Sequence, residues 1–345
     1  MLNRVPSLLL AWYDREARVL PWRSDPAPYR VWVSEIMLQQ TRVEAALPYF
    51  ERFLSALPDA AALAGSEEAA LMKLWEGLGY YSRARNLQKA ARIVVERHGG
   101  ELPGTAEELV KLPGIGDYTA GAIASIAFGA PVEAVDGNVL RVLSRLLASR
   151  ADVALPAVKE ELRRLIRAVL PKDRPGDFNQ ALMDLGATVC LPNGTPLCVR
   201  CPLSGLCAGH RQGIECELPV KAPKKKREIR YKTVFVLLNG GRALLMRRPE
   251  KGLLAGLWEL PNAEGWLTGE EAQLFLRQWG ATVCSLRELD RAKHVFTHAE
   301  WHMCGWLAEV EEFTLAGEHV WADGLALRST YAVPSAFKAY GRHLP

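Results

Sequence analysis

Four cysteines crowded between positions 190 and 207 constrain this chain more than any other feature. They read C-x7-C-x2-C-x5-C, at Cys190, Cys198, Cys201 and Cys207. Four thiolates in so short a stretch can surround one metal centre. Pro192, Asn193, Gly194, Pro196, Pro202 and Gly205 supply the tight turns such a loop needs. Zinc ligands usually come as two close pairs held apart by a longer spacer. Only one close pair exists here, with single cysteines on both sides. Ligand type and spacing therefore favour an iron–sulfur cluster, with a structural zinc site as the rival. Two disulfides fit poorly with a chain that reads as cytoplasmic.

That compartment is read from the N-terminus. The apolar run Leu8 to Trp12 breaks at once into Asp14, Arg15, Glu16 and Arg18. It is too short for a membrane span and lacks a cleavage site. A soluble, reducing-compartment protein with no membrane contact is expected. Cys216, Cys284 and Cys304 are scattered and read as ordinary thiols. A chain of 345 residues suggests two domains, or three, and 49% hydrophobic content is ample for their cores. The net charge of +4 is concentrated, because residues 217–231 hold six basic and two acidic side chains. This run is a basic linker, and it could also lie against phosphates.

Residues 1–216 read as a helical domain. Apolar residues recur at three- and four-residue steps in Val31–Leu47, Ala69–Trp75, Ala84–His98, Ala120–Phe128 and Val158–Leu170. Residues 217–230 form the linker, bracketed by Pro219 and Pro223. From 231 to 345 the texture changes. Thr233–Leu238 and Ala243–Met246 read as strands joined by the turn Asn239-Gly240-Gly241, and Ala299–Val310 reads as a further strand. A closing helix is expected over Pro334–Tyr340, which makes the second domain α+β.

Three further stretches carry chemistry. Leu112-Pro113-Gly114-Ile115-Gly116 is a turn between helices (about 108–128), with a helix expected to start near Thr119. Main-chain amides at Gly114 and Gly116, beside a helix N-terminus, suit a phosphate; the plain alternative is a helix–helix turn. Asp136, in Val135-Asp136-Gly137-Asn138-Val139, is a helix cap or a functional carboxylate. Glu35 sits in the otherwise apolar or neutral run Trp32–Thr41. A carboxyl in such surroundings can hold a proton near neutrality, unless it simply faces solvent.

In this order, the Glu35 helix, the Leu112–Gly116 hairpin, the Asp136 motif and the four-cysteine loop resemble the endonuclease III superfamily of DNA glycosylases. The detailed likeness is to its adenine-specific, MutY-type branch. It extends through Leu20-Pro21-Trp22-Arg23, Leu38–Thr41, Gly77–Leu87 and Phe178–Gly186, and covers the chain from about residue 5 to its end. The fold implied is a mainly α helix-hairpin-helix glycosylase with a [4Fe-4S] loop, followed by a smaller α+β Nudix-like domain. In that domain Leu244–Pro249 and Gly252–Pro261 carry the resemblance, while the acidic magnesium-binding box is missing, so binding without hydrolysis is expected.

The resemblance also implies a chemistry. The partner is double-stranded DNA with adenine opposite 8-oxoguanine or guanine, bound by a monomer that breaks the N-glycosidic bond. Glu35 is the acid, Asp136 the carboxylate beside the sugar, and Tyr118 and Asn138 position the site. Tyr118 stands where the lyase branch has its nucleophilic lysine, so hydrolysis without strand cleavage is expected. Arg23, Gln40, Tyr80, Gly114, Gly116 and Gln180 fall at DNA- or substrate-contacting positions, with a monovalent cation on the hairpin carbonyls. Phe296-Thr297-His298 stands where the family usually has a Phe-Ser-His loop that reads 8-oxoguanine. Cys190, Cys198, Cys201 and Cys207 hold the cluster, with seven residues in the first interval where six are usual. Two rivals are a pyrimidine-lesion glycosylase/lyase and a non-catalytic cluster protein that senses DNA or redox state.

Overall fold

A computed structural model describes every residue except 1, 223–225, 312, 314 and 316. The centre of the basic run therefore lies outside the described residues. The chain forms two compact units. One comprises Met1–Gly65 with Arg85–Pro223, the other Ser66–Ala84 with Lys224–Pro345. A linear boundary near residue 216 misses this interleaving, because residues 66–84 group with the second unit.

The first unit is helical. Pro28, Pro156 and Pro175 each open a helix, where a missing N–H leaves no bond unmade. The helices Val5–Glu16, Gly137–Leu146, Pro156–Val169 and Pro175–Thr188 close around Leu9, Trp12, Val139, Leu143, Ile166, Phe178 and Leu182. The central helix, Asp117–Phe128, starts two residues before the expected Thr119 and is buried on every side from Thr119 to Ser125. Small residues let its neighbours approach closely: a Cβ on Gly121 would meet the Glu133 carbonyl oxygen at 2.3 Å. It stops at Gly129, whose φ of +67° suits glycine. The single apolar stripe expected over Val31–Leu47 is two helices, Pro28–Leu38 and Val43–Ala56. The break is at Gln40, whose φ of +59° cannot continue a helix.

The second unit is built on a mixed sheet. Its strands are β1 (Glu228–Asn239), β2 (Arg242–Arg247), β3 (Trp258–Glu259), β4 (Asn262–Glu264), β5 (Val283–Val295), β6 (Ala299–Val310) and β7 (His319–Ala322). The main path runs β3-β2-β1-β6-β5; β4 pairs with β1 and β7 with β2. β1 and β6 are parallel, and β5 and β6 form an antiparallel hairpin. Alternation along β1 sends Val234 and Val236 to one face and Phe235 and Leu237 to the other, so both faces are covered. The closing helix expected over Pro334–Tyr340 is a 3-10 helix, Ser335–His343. Three residues per turn align Phe337 with Tyr340, which are both buried. Tyr340 lies against Gly305, where an added Cβ would come within 2.3 Å of its ring. β1 begins at Glu228, inside the segment read as linker. Among the described residues, no helix is long and apolar enough to cross a membrane.

Candidate active site

A cavity of about 630 Å³ in the first unit is lined by Arg23, Glu35, Tyr118, Asp136, Asn138 and Gln180, among others. Five different helices deliver these side chains. Glu35 comes from the helix Pro28–Leu38, on which every residue from Val31 to Met37 is buried. Its neighbour is Asp117–Phe128, which carries Tyr118; Gln39 ties the two by donating to the Thr119 hydroxyl at 3.3 Å. The Tyr118 hydroxyl donates to Glu35 Oε2 at 2.8 Å.

Asp136 is the N-cap of the helix Gly137–Leu146. Its Oδ1 accepts from the Val139 amide at 2.8 Å and its Oδ2 from the Asn138 side chain at 2.7 Å. Asp136 thus caps this helix and lines the cavity at once. The two acids sit in different electrostatic settings. Burial pushes Glu35 up to about 7; Tyr118 opposes this, and the negative charge of Asp136 adds to it. Burial also raises Asp136, but two donors and Arg141 pull the other way. Asp136 thus has several groups that host a charge, including the positive end of a helix, whereas the carboxyl of Glu35 accepts one hydroxyl. Tyr118 is held well above its ordinary range, first by burial and then by Glu35, so it is a neutral hydroxyl here.

Arg23 lines the same cavity, yet its guanidinium is held by Asp184, Nη1 to Oδ2 at 2.6 Å and Nη2 to Oδ1 at 2.9 Å. Asp184 also takes the Arg18 guanidinium at 2.5 Å and is buried to 1% side-chain exposure. Neither Asp184 nor Arg18 stood out in the sequence. Arg141 is a further addition. It donates to Asn138 Oδ1 at 2.9 Å, to the Gly186 carbonyl at 2.7 Å and to the Cys190 carbonyl at 2.9 Å. An unbroken hydrogen-bonded path thus joins Asp136 to the first cysteine. The i, i+3 spacing of Asn138 and Arg141 on one helix was the available signal. Gly186 is required there, because a Cβ would lie 2.6 Å from that of Asn138.

The four cysteines converge on a second, small cavity lined also by Arg145, His210 and Glu215. Arg145 donates to the Cys190 sulfur at 3.2 Å, and burial pushes Cys201 up to about 12. Such crowding of buried thiols suits a metal centre that takes their charge. Among the described residues, Cys198, His210 and Glu215 also bring ligand atoms within 4.8 Å of one another.

The hairpin is as expected, with Gly114 at φ +81° and Gly116 as N-cap of Asp117–Phe128. The amides beyond it belong to the first turn, which intrahelical carbonyls cannot reach. Gln40 is exposed at the end of the Glu35 helix. The remaining sequence candidates lie in the second unit. Phe296-Thr297-His298 is the tip of the β5–β6 hairpin, closed by the Phe296 amide on the Ala299 carbonyl at 2.8 Å. Phe296 is anchored on Trp301, and Thr297 and His298 are exposed. Tyr80, 45% exposed, meets Thr297 through their hydroxyls at 2.9 Å.

A profile described as "HhH-GPD superfamily base excision DNA repair protein" matches residues 33–168, and a NUDIX domain profile matches 233–342. The adenine DNA glycosylase of Mus musculus is 41% identical over 85% of this chain and 68% of its own length. That of Schizosaccharomyces pombe is 33% identical over 86% of this chain and 80% of its own. Among solved structures, a thermostable thymine-DNA glycosylase superposes with a TM-score of 0.56 at 27% identity, over 61% of this chain and 97% of its own.

Proposed function

The chain belongs to the adenine DNA glycosylase family, and from that membership we propose that it hydrolyses the N-glycosidic bond of adenine opposite 8-oxoguanine or guanine in duplex DNA. The observation that carries the chemistry is one cavity holding Glu35 and Asp136 in different electrostatic settings. The target nucleotide leaves the stack to reach it, since its sugar bond is inaccessible within the helix. Glu35, pushed to about 7, protonates N7 and so turns adenine into a neutral leaving group. The charge of Asp136 favours that proton on Glu35 until the purine takes it. As the bond breaks, positive charge grows on the sugar and Asp136 stabilises it. Glu35, now a carboxylate, accepts a proton from the incoming water. Tyr118 fixes the Glu35 rotamer, Asn138 and Arg141 fix Asp136, and Gln180 meets the adenine edge.

Binding divides among other parts. Gly114, Gly116 and the first amides of Asp117–Phe128 hold a phosphate, with a monovalent cation on the hairpin carbonyls. Gln40 and Tyr80 enter the duplex near the mispair, and stacking returns part of the unstacking cost. Arg23 orients the pocket under the control of Asp184. Phe296, Thr297 and His298 read 8-oxoguanine, with the Thr297 hydroxyl in place of the usual serine. Cys190, Cys198, Cys201 and Cys207 hold a [4Fe-4S] cluster, which shapes a DNA-facing loop that carries Arg200 and a fully exposed Val199.

No amine stands at position 118, so no Schiff base forms on the sugar there. The test is incubation with duplex containing adenine opposite 8-oxoguanine. Free adenine should appear, the strand should stay intact until alkali is added, and borohydride should trap no adduct. A strong covalent adduct would contradict the hydrolytic assignment.

A further inference from the structure

Residues 66–84 precede the basic linker by more than a hundred positions, yet they belong to the second unit, and two side chains explain how they are held. Lys73 lies in the last turn of the helix Glu68–Leu74. Its Nζ donates to Glu76 Oε2 at 2.5 Å, to the Leu327 carbonyl at 2.7 Å and to the Tyr331 carbonyl at 3.1 Å. An ammonium has three donors, and here each has an acceptor. Leu327 lies in the helix Gly324–Ser329, whose last carbonyls lack intrahelical partners, so Lys73 caps that helix. The other oxygen of Glu76 accepts the Val333 amide at 2.7 Å. Their side chains are only 14% and 29% exposed. The pair thus grips three main-chain groups within residues 327–333.

Beyond those groups the chain enters the core beneath the reading loop. Phe337 packs on Trp301 at 6.0 Å between ring centroids, and Trp301 on Phe296 at 4.9 Å. The other end of the 66–84 segment carries Tyr80, whose φ of +49° is strained for a residue with a side chain. Arg83 holds it there. Its guanidinium lies 5.4 Å from the Tyr80 ring centroid and donates to the Leu78 and Gly79 carbonyls at 3.2 and 3.1 Å. The Trp75 indole donates to Gly79 as well, at 3.1 Å. Tyr80 therefore reaches Thr297 from a segment fixed to the core that supports Thr297.

We infer that Lys73 and Glu76 are positioning residues for lesion reading: they set the spacing between Tyr80 and Thr297, and preference for 8-oxoguanine over guanine depends on them. This rests on the assignment of Tyr80 and Thr297 to the lesion. 8-Oxoguanine differs from guanine by an oxygen at C8 and a proton at N7. Telling them apart needs a hydrogen bond of correct length and angle. Stacking tolerates small displacements, whereas such a bond does not. Loosening the grip should therefore lower lesion preference and leave adenine release opposite guanine intact.

The experiment compares Lys73→Met, Glu76→Gln, Lys73→Arg and Thr297→Val in the full-length protein. Glu76→Gln keeps an acceptor for the Val333 amide, which protects folding. Single-turnover adenine release is measured opposite 8-oxoguanine and opposite guanine, together with the unfolding midpoint. Lys73→Met and Glu76→Gln should lower the ratio of the two rates roughly tenfold, short of the ~100-fold that a full 1 Å error brings. The rate opposite guanine should hold, and Lys73→Arg should recover most of the ratio. Adding Lys73→Met to Thr297→Val should cause little further loss, because both act through one contact. An unchanged ratio in Lys73→Met and Glu76→Gln, with a reduced one in Thr297→Val, overturns the positioning role alone. A parallel fall in both rates with the midpoint reduces the pair to a structural clasp and overturns it too. An unchanged ratio in Thr297→Val removes the lesion-reading assignment on which it stands.

Discussion

Replacing Glu35 by glutamine should make the protein more stable at the pH where it works. The carboxyl is pushed from 4.5 up to about 7, chiefly by burial. Two and a half units correspond to roughly 3 kcal/mol between its protonated and charged forms. The sign follows from proton binding. Between pH 4.5 and about 7, the folded protein retains a proton on this carboxyl that the unfolded chain has lost. Stability therefore falls as pH rises through that window. Below it the carboxyl is neutral in both states and costs nothing extra; above it the folded state carries the full penalty. Glutamine is neutral throughout and keeps an oxygen for the Tyr118 hydroxyl. The Glu35→Gln protein should thus exceed its parent by up to roughly 3 kcal/mol at about pH 8, and the gap should close towards about pH 5. The assay is the difference in unfolding midpoint between the two proteins across that range, with adenine release measured alongside. Release should be lost in the variant at every pH. A stability difference that does not change with pH would show that Glu35 titrates normally and would refute its role as the neutral acid.

Asp136→Asn should keep the fold, because asparagine caps a helix as well as aspartate does; it should still bind mispaired DNA in a gel-shift assay, while the single-turnover rate drops by about a thousandfold or more. Gly186→Ala places a Cβ 2.6 Å from that of Asn138, so it should cost about 1–3 kcal/mol in a denaturant titration and slow adenine release, whereas an unaffected rate would deny Asn138 a part in holding Asp136. The purified protein should contain roughly four iron and four sulfide per chain, and stoichiometric zinc by elemental analysis would overturn the cluster.

The acids and thiols that line the two cavities were legible where the sequence isolates them. Glu35 stands out as an acid in an apolar helix, Asp136 as an acid before Gly-Asn, and the cysteines by spacing. Helices were legible where small and apolar residues recur, but the break at Gln40 was not, because nothing in Gln39-Gln40-Thr41 demands a positive φ. β5 was missed for a related reason: it is mostly solvent-facing, so Ser285–Lys293 is largely polar and lacks an apolar alternation. The transfer of residues 66–84 to the second unit was illegible because Lys73 and Glu76 grip main-chain atoms, which carry no residue signature. The same holds for Arg141, two of whose three acceptors are carbonyl oxygens. Arg23 shows the converse: its place in the pocket was legible, while its partner Asp184, 161 positions away, was not.

The most direct measurement is single-turnover release of free adenine from three duplexes that differ only in the base opposite it: 8-oxoguanine, guanine or thymine. Adenine should be released opposite 8-oxoguanine and guanine and stay attached opposite thymine, with Glu35→Gln abolishing release from both mispairs. No release from either mispair, equal release opposite thymine, or full activity in Glu35→Gln would contradict the assignment of this cavity.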